Sequence, residues 1–203
     1  MENSRIAAKG LVLLGCGKMG SAMLAGWLAH GLPPTSVWVM EPNPSDWLKS
    51  TGVDLSGDLP ANPAVVLVAV KPQMMADALP VLAAMGNGDT VFVSVAAGIT
   101  IAYFEAILGD RTPIVRAMPN TPAAISQGIT AIVGNASTNA AAMTEAEQLL
   151  QAVGDVVHVP DEAQIDAVTG VSGSGPAYVF HMIETMAAAG EAEGLDAKTA
   201  MQL

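Results

Sequence analysis

The stretch that decides the fold is Leu11-Val-Leu-Leu-Gly-Cys-Gly-Lys-Met-Gly20. Four apolar residues run straight into G-x-G-x-x-G, with Gly15, Gly17 and Gly20 at the fixed positions and Cys16, Lys18 and Met19 between them. A buried strand, a glycine turn and a helix are the context this motif needs to bind a dinucleotide. The glycines permit a tight turn, close approach of backbone to a pyrophosphate, and tight packing of helix on strand. Backbone N–H groups and the positive end of the helix then face the phosphates. Met19 to His30 is the expected helix, with Gly31 as its stop. The bland alternative is a generic glycine turn.

Downstream, short apolar runs alternate with helical patterns. Strands are expected at Val37 to Met40, Val65 to Val70, Thr90 to Val95, Pro113 to Arg116, Gly128 to Gly134 and Val156 to Val159. Helices are expected at Met74 to Met85, at Ile101 to Leu108, and from the capping-box pattern Thr144-Glu-Ala-Glu147 to near Gly154. Near-continuous apolar strands separated by helices imply βαβ units, hence an α/β fold with a mostly parallel sheet covered on both faces.

After Pro160 no strand signal follows. Asp161 to Val168 reads as helical, Ser172-Gly-Ser-Gly-Pro176 leads into an apolar helix over Ala177 to Gly190, and Asp196 starts another. A helix without a polar face is a buried one, and a second subunit is the expected cover. Residues 1–160 are therefore assigned to a dinucleotide-binding domain and 161–203 to the start of a helical domain. Those 43 residues are few for a closed core.

Composition narrows the partners. The chain has 203 residues, 51% hydrophobic and 13% charged, which excludes disorder. Lys plus Arg is 8 and Asp plus Glu is 19, a net charge of −11. That balance offers no cationic footprint for nucleic acid and no polybasic membrane patch. Mean hydropathy is +0.44. Even so, the run Val65 to Val70 is far short of the roughly 20 residues that span a bilayer. The single cysteine, Cys16, forms no internal disulfide, and a cytoplasmic location is expected.

Several strand ends carry unusual residues, and in open α/β sheets ligands bind outside the carboxyl ends of strands. Glu41 ends the second strand, 21 residues past Gly20. A carboxylate there accepts from a ribose 2′-OH and repels a 2′-phosphate, favouring NADH over NADPH. The alternative is a loop carboxylate beside Pro42. Lys71 in Ala69-Val-Lys-Pro72 is either a ligand cation or a solvated strand-end lysine. Ala96-Ala-Gly-Ile-Thr100 lets a flat ring approach backbone, or is a turn with Thr100 as N-cap. Met118-Pro-Asn-Thr-Pro122 presents Asn120 and Thr121, with ordinary turn chemistry as the alternative.

Together these residues resemble a known family. Val70-Lys-Pro72, Ala96-Ala-Gly98 with Thr100, Met118 with Asn120-Thr-Pro122, Asp166-Ala-Val-Thr-Gly170 and Ser172-Gly-Ser-Gly-Pro-Ala-Tyr178 are similar to pyrroline-5-carboxylate reductases, in order from about Leu11 to Leu195. The resemblance implies a Rossmann domain followed by a helical dimerisation domain. It also implies hydride transfer from NAD(P)H to the C=N of a cyclic imine, giving L-proline, in a homodimer or larger homo-oligomer. The cofactor would lie along Gly15 to Gly20, with Val70, Lys71, Pro72, Ala97 and Asn120 near its nicotinamide-ribose half. Asn120, Thr121 and Ser174 would face the substrate. Members of the family carry small or basic residues where this chain has Glu41, so the usual NADPH preference is in question here. The family's later Ser-Pro-Gly-Gly-Thr-type loop, which holds the substrate carboxylate, has no counterpart, and the sequence is expected to be truncated at Leu203.

A protonated imine needs no side-chain general acid, so no catalytic residue is assigned; the protein holds the partners in near-attack geometry. Cys16, with a pKa lowered by the helix end, is read as a filler at a variable position rather than a nucleophile. His30, His158 and His181 lack metal-ligand spacing. Ser172 and Ser174 form no nucleophile elbow, and Ser174 reads as a helix N-cap or a substrate contact. Glu162 reads as a first-turn complement to its helix dipole. Two other functions stay open. One is a related Rossmann reductase acting on another imine or a 3-hydroxy acid, disfavoured by the lack of lysine in Ala177 to Gly190. The other is a cofactor-binding chain without turnover.

Overall fold

The computed structural model describes residues 5–203. Its centre is β1 (Leu11–Leu14), in which all four side chains are buried. Leu11 and Leu13 join the core on one face of the sheet, and Val12 and Leu14 join the core on the other. A strand apolar at every position is stable only between two covered faces. Each such buried side chain contributes about 1.5–3 kcal/mol.

The chain enters β1 from a short helix, α1 (Arg5–Lys9), and leaves it for α2 (Lys18–Ala29). Then follow β2 (Val37–Met40), α3 (Asp46–Ser50), β3 (Val65–Val68), α4 (Met75–Ala78), β4 (Val91–Ser94), α5 (Ile101–Leu108) and β5 (Ile114–Met118). Next come β6 (Gly128–Gly134), α6 (Ala140–Leu150) and β7 (Gly154–His158). The last elements are α7 (Gln164–Val168), α8 (Gly175–Ala192) and α9 (Ala197–Gln202). The seven strands make one sheet in the order β2-β1-β3-β4-β5-β6-β7. The first five run parallel, so the chain reverses its direction of travel across the sheet between β1 and β3. That reversal is where an open α/β sheet forms its ligand crevice. The register sets Leu14 beside Met40 and Val68, Val68 beside Ser94, and Ser94 beside Arg116. The loops leaving these strands therefore line up along one edge.

One face is covered by α2 and α6, through Met23, Leu24, Trp27, Ala146 and Leu149. The indole of Trp27 donates to the Leu149 carbonyl at 2.8 Å and joins the two helices. The other face is covered by Met75, Leu79 and Leu82, by Ile101, Phe104 and Leu108 of α5, and by Ile165 of α7. No helix among the described residues is long and apolar enough to cross a membrane.

The structure corrects several sequence expectations. Met74 to Met85 is mostly 3-10, with only Met75–Ala78 α-helical. Pro80 lacks the N–H that an α-turn would use there. The helix expected from Thr144 begins at Ala140 instead. Asn139 caps it by accepting from the Ala142 amide at 2.9 Å, while Thr144 donates back to the Ala140 carbonyl. An asparagine followed by three alanines is the stronger start signal. β6 runs antiparallel to β5. The link from Pro119 to Gln127 is shorter than the dozen or more residues a parallel crossover needs. Other element ends move by one to three residues. Ser174 makes no side-chain cap, because its backbone is already helical. A π-turn over Thr169–Gly173 carries α7 into α8, with the Ser174 amide donating to the Thr169 carbonyl at 2.8 Å.

Candidate active site at the carboxyl edge of the sheet

The three glycines of the turn after β1 have three different physical reasons. Gly15 has φ +89°, and a Cβ there would lie 2.9 Å from the Ala69 carbonyl oxygen. Gly20 lies so close to the turn that a Cβ would fall 2.3 Å from the Gly15 carbonyl oxygen. Gly17 is different: no atom lies within 4 Å of where its Cβ would be. Packing inside the protein does not require glycine at 17, and its open flank leaves room for a ligand to approach the backbone. Gly17 is also the N-cap of α2 and offers no side-chain cap. The first-turn amides from Lys18 onward thus have no intrahelical partner and face outward with the positive end of the helix. Lys18 is exposed, and Met19 packs partly on the core. This cradle fits a dinucleotide pyrophosphate.

Glu41 reaches this turn directly. One carboxylate oxygen accepts from the Cys16 amide at 2.9 Å and the other from the Asn43 amide at 3.1 Å. Burial, and secondarily the Glu41 charge, push the Cys16 thiol up to about 11. The expected lowering by the helix end is therefore reversed, because desolvation and a neighbouring anion both disfavour thiolate. Thiolate at neutral pH is about 100-fold scarcer than for a thiol at the ordinary value of 9.0. Iodoacetamide at pH 8 is expected to label Cys16 far more slowly in the folded chain than in urea. Equal rates would contradict this environment. Because the folded pKa lies above the unfolded one, this thiol also contributes stability that is present below about pH 9 and lost as pH rises to about 11.

The three loops lie where the register puts them. Lys71 is exposed just beyond β3, in extended backbone before Pro72. Ala97 and Gly98 are exposed beyond β4, and Thr100 caps α5 by accepting from the Tyr103 amide at 3.3 Å. The capping reading of Thr100 therefore holds. Asn120, beyond β5, has partners of its own. Its Oδ1 accepts from the Ile129 amide at 2.9 Å, and its Nδ2 donates to the Ser172 hydroxyl at 3.3 Å. With that oxygen engaged, the remaining Nδ2 hydrogen lets Asn120 act toward a ligand as a donor. Thr121 is exposed and Ser174 half-buried, two residues past the serine that Asn120 holds.

The strongest polar feature escaped the sequence reading. Arg116 sits in β5 at 4% exposure, on the apolar face shared with Ile114 and Met118. Its Nη1 donates to Glu162 Oε1 at 2.8 Å and its Nη2 to Asp166 Oδ1 at 3.4 Å. The same Glu162 oxygen accepts from the Ile101 amide at 2.8 Å. Glu162 therefore complements the start of α5 rather than its own helix, correcting the first-turn reading. The available signal was an arginine in the middle of Ile-Val-Arg-Ala-Met, a run otherwise apolar.

The histidines have local roles. His30 bonds the Gly26 carbonyl at 2.8 Å and His158 meets Glu147 at 3.0 Å, while His181 is exposed on α8. The described residues hold no cluster of three metal-ligating groups. A cavity of about 970 Å³ opens at the opposite edge of the sheet, beside Arg5, Asp89, Asn139 and Glu145. None of the glycine-turn or strand-end residues above lines it, so size does not mark the chemistry here.

On α8, Tyr178, Phe180, Met182 and Met186 are each at least 60% exposed, and Ala187 is its buried residue. So large an apolar face marks a protein contact.

Residues 10–98 match a family model described as NADP oxidoreductase coenzyme F420-dependent, and residues 162–203 one described as pyrroline-5-carboxylate reductase dimerisation. The chain is 41% identical to a pyrroline-5-carboxylate reductase of Pseudomonas aeruginosa, over 100% of this chain and 75% of that one. It is likewise 41% identical to that of Mycobacterium tuberculosis, over 95% and 69%. The structure of a pyrroline-5-carboxylate reductase from Coxiella burnetii superposes with a TM-score of 0.86 at 32% identity, covering 96% of this chain and 74% of that one. The Plasmodium falciparum enzyme with NADP bound gives 0.84 at 25% identity, covering 100% and 74%. A prephenate dehydrogenase of Aquifex aeolicus, at 18% identity and 0.65, shares the fold alone. With a glycine turn at the switch point, a helical segment matched to a dimerisation module and relatives this similar over nearly all its length, the chain belongs to the pyrroline-5-carboxylate reductase family.

Proposed function

We propose that this chain reduces 1-pyrroline-5-carboxylate to L-proline with NAD(P)H, as a homo-oligomer in the cytoplasm. The observation that carries this reading is the open flank of Gly17 at the switch point, in line with the loops after β3, β4 and β5. When bound, the reduced nicotinamide supplies a hydride to the imine carbon. Residues 1–160 hold the cofactor, and 161–203 begin the part that dimerises and completes the substrate site. Gly15, Cys16, Gly17, Lys18, Met19 and Gly20 cradle the pyrophosphate. Val70, Lys71, Pro72, Ala97 and Asn120 line the nicotinamide-ribose half. Asn120, as donor, together with Thr121 and Ser174, orients the imine and its carboxylate. No residue of this set is needed as a general acid, because the imine can arrive protonated. The protein's contribution is alignment. The test is to mix the purified protein with the imine and each cofactor, follow absorbance loss, and assay proline. Cofactor binding without proline formation would overturn the reading.

The same edge supports NADH as the preferred cofactor. Glu41 presents a carboxylate beside the glycine turn, where a 2′-phosphate would meet like charge. Glu41→Gln keeps an acceptor for the Cys16 amide and removes the charge. A hydrogen bond to a charged group contributes about 1.5–3 kcal/mol. The kcat/KM ratio for NADH over NADPH is accordingly expected to fall about 10- to 100-fold in the variant. A parent protein that prefers NADPH would sink the assignment.

A further inference from the structure

We infer that Arg116 and Glu162 are positioning residues that set the substrate half of the site against the cofactor half. This rests on the proposed imine reduction. A guanidinium in an apolar layer is costly unless paired, and Arg116, 4% exposed, lies on the side of β5 whose core holds Ile101, Phe104, Ile114, Met118 and Ile165. Its Nε has no partner, and Asp166 is 81% exposed, so Glu162 is its principal counter-charge. One oxygen of Glu162 thereby joins three elements. These are β5 through Arg116, the start of α5 through Ile101, and the segment that leads into α7. The Ile101 amide directly follows the loop that carries Ala97. Four residues along from Arg116, on the same exit from β5, Asn120 grips Ser172 in the π-turn.

Besides the apolar docking of Ile165, two polar contacts tie the segment from Glu162 through the π-turn to β5 and the loop after it, one through Arg116 and one through Asn120. Two attachments fix its rotation as well as its distance, and Ser172 and Ser174 turn with it. The glycine turn after β1 lies beyond β3 and β4 from this bracket. Loosening the bracket should therefore disturb imine alignment and leave dinucleotide affinity alone.

The test compares the parent protein with Glu162→Ala, Glu162→Gln, Arg116→Met and the double variant Arg116→Met with Glu162→Ala. Dinucleotide affinity is read by fluorescence quenching, and kcat and KM are measured for the imine. Glu162→Ala is expected to lose about 10- to 100-fold in kcat/KM for the imine, with dinucleotide affinity within twofold of the parent. Glu162→Gln keeps an acceptor for Ile101 and should recover part of the loss. The double variant should be no worse than Glu162→Ala, because the two residues act as one unit. Imine kcat/KM within twofold of the parent, or an equal loss of dinucleotide affinity, would overturn the inference. Proline formation by the parent is measured first, so failure of the reaction itself is seen separately. Amide hydrogen exchange probes the bracket without relying on turnover. Glu162→Ala should speed exchange across residues 169–174 and leave 11–20 unchanged, and unchanged exchange in 169–174 would equally reject the bracket.

Discussion

Gly17→Val is expected to fold like the parent protein and to lose about 100-fold in dinucleotide affinity. The fold should tolerate the side chain because nothing stands within 4 Å of that position and its backbone, at φ −70°, suits any residue. Binding should not tolerate it, because the valine would fill the flank where the pyrophosphate is proposed to lie. Displacements of about 1 Å in such a site cost on the order of 10²-fold. Gly20→Ala is the instructive contrast. Its methyl would meet the Gly15 carbonyl at 2.3 Å, so α2 must shift and stability falls together with binding. Thermal melting with fluorescence titration separates the two. A Gly17→Val protein that binds NADH as tightly as the parent would remove the pyrophosphate from this turn.

Met186→Asp is expected to dissociate the homo-oligomer. In a single protomer Met186 is 66% exposed, so a carboxylate there costs the isolated fold little. Buried between two copies, the same carboxylate would be desolvated without a partner. Central interface positions of this kind change association by about 2 kcal/mol or more, equivalent to about 30-fold. Sedimentation over a dilution series should show a smaller species at concentrations where the parent remains associated, with the circular dichroism spectrum unchanged. If the variant and parent sediment alike at every concentration, the face of α8 is not the contact.

The features legible in the sequence are those written locally. Val37 to Met40, Ile101 to Leu108 and Gly128 to Gly134 appear as expected because a largely apolar run or a capped helix carries its own signal. The glycine turn was legible for the same reason. The direction of β6 was not, since an apolar run looks identical in either orientation and only the short link after Pro119 decides. The segment after Pro72 shows an apolar spacing of about 3.6, but Pro80 converts most of it to 3-10. Within the site, the positions of Lys71, Ala97 and Asn120 were foreseeable because strand ends fall on one edge. The partners of Asn120 and Glu162 were not, because Ser172 and Arg116 lie 52 and 46 residues away. Pairings of that separation leave no periodic trace in a single sequence.

The π-turn at Thr169–Gly173 has a consequence for how this region can vary. It holds the residue that docks on the sheet, Ile165, and the residues that face outward from α8 at a fixed angular offset along one rod. An α-helix advances about 100° per residue, at 3.6 residues per turn. The π-turn fits five residues where an α-turn fits four, so the loss of one residue between 169 and 173 is taken up by reverting to α-helix, while the loss of a second would swing Tyr178, Met182 and Met186 about a quarter of the way round the axis with Ile165 in place. Surface loops such as 55–60 absorb insertions and deletions without turning anything else. Here length is constrained beyond that one residue, and Ser172, which Asn120 holds, is constrained in identity as well.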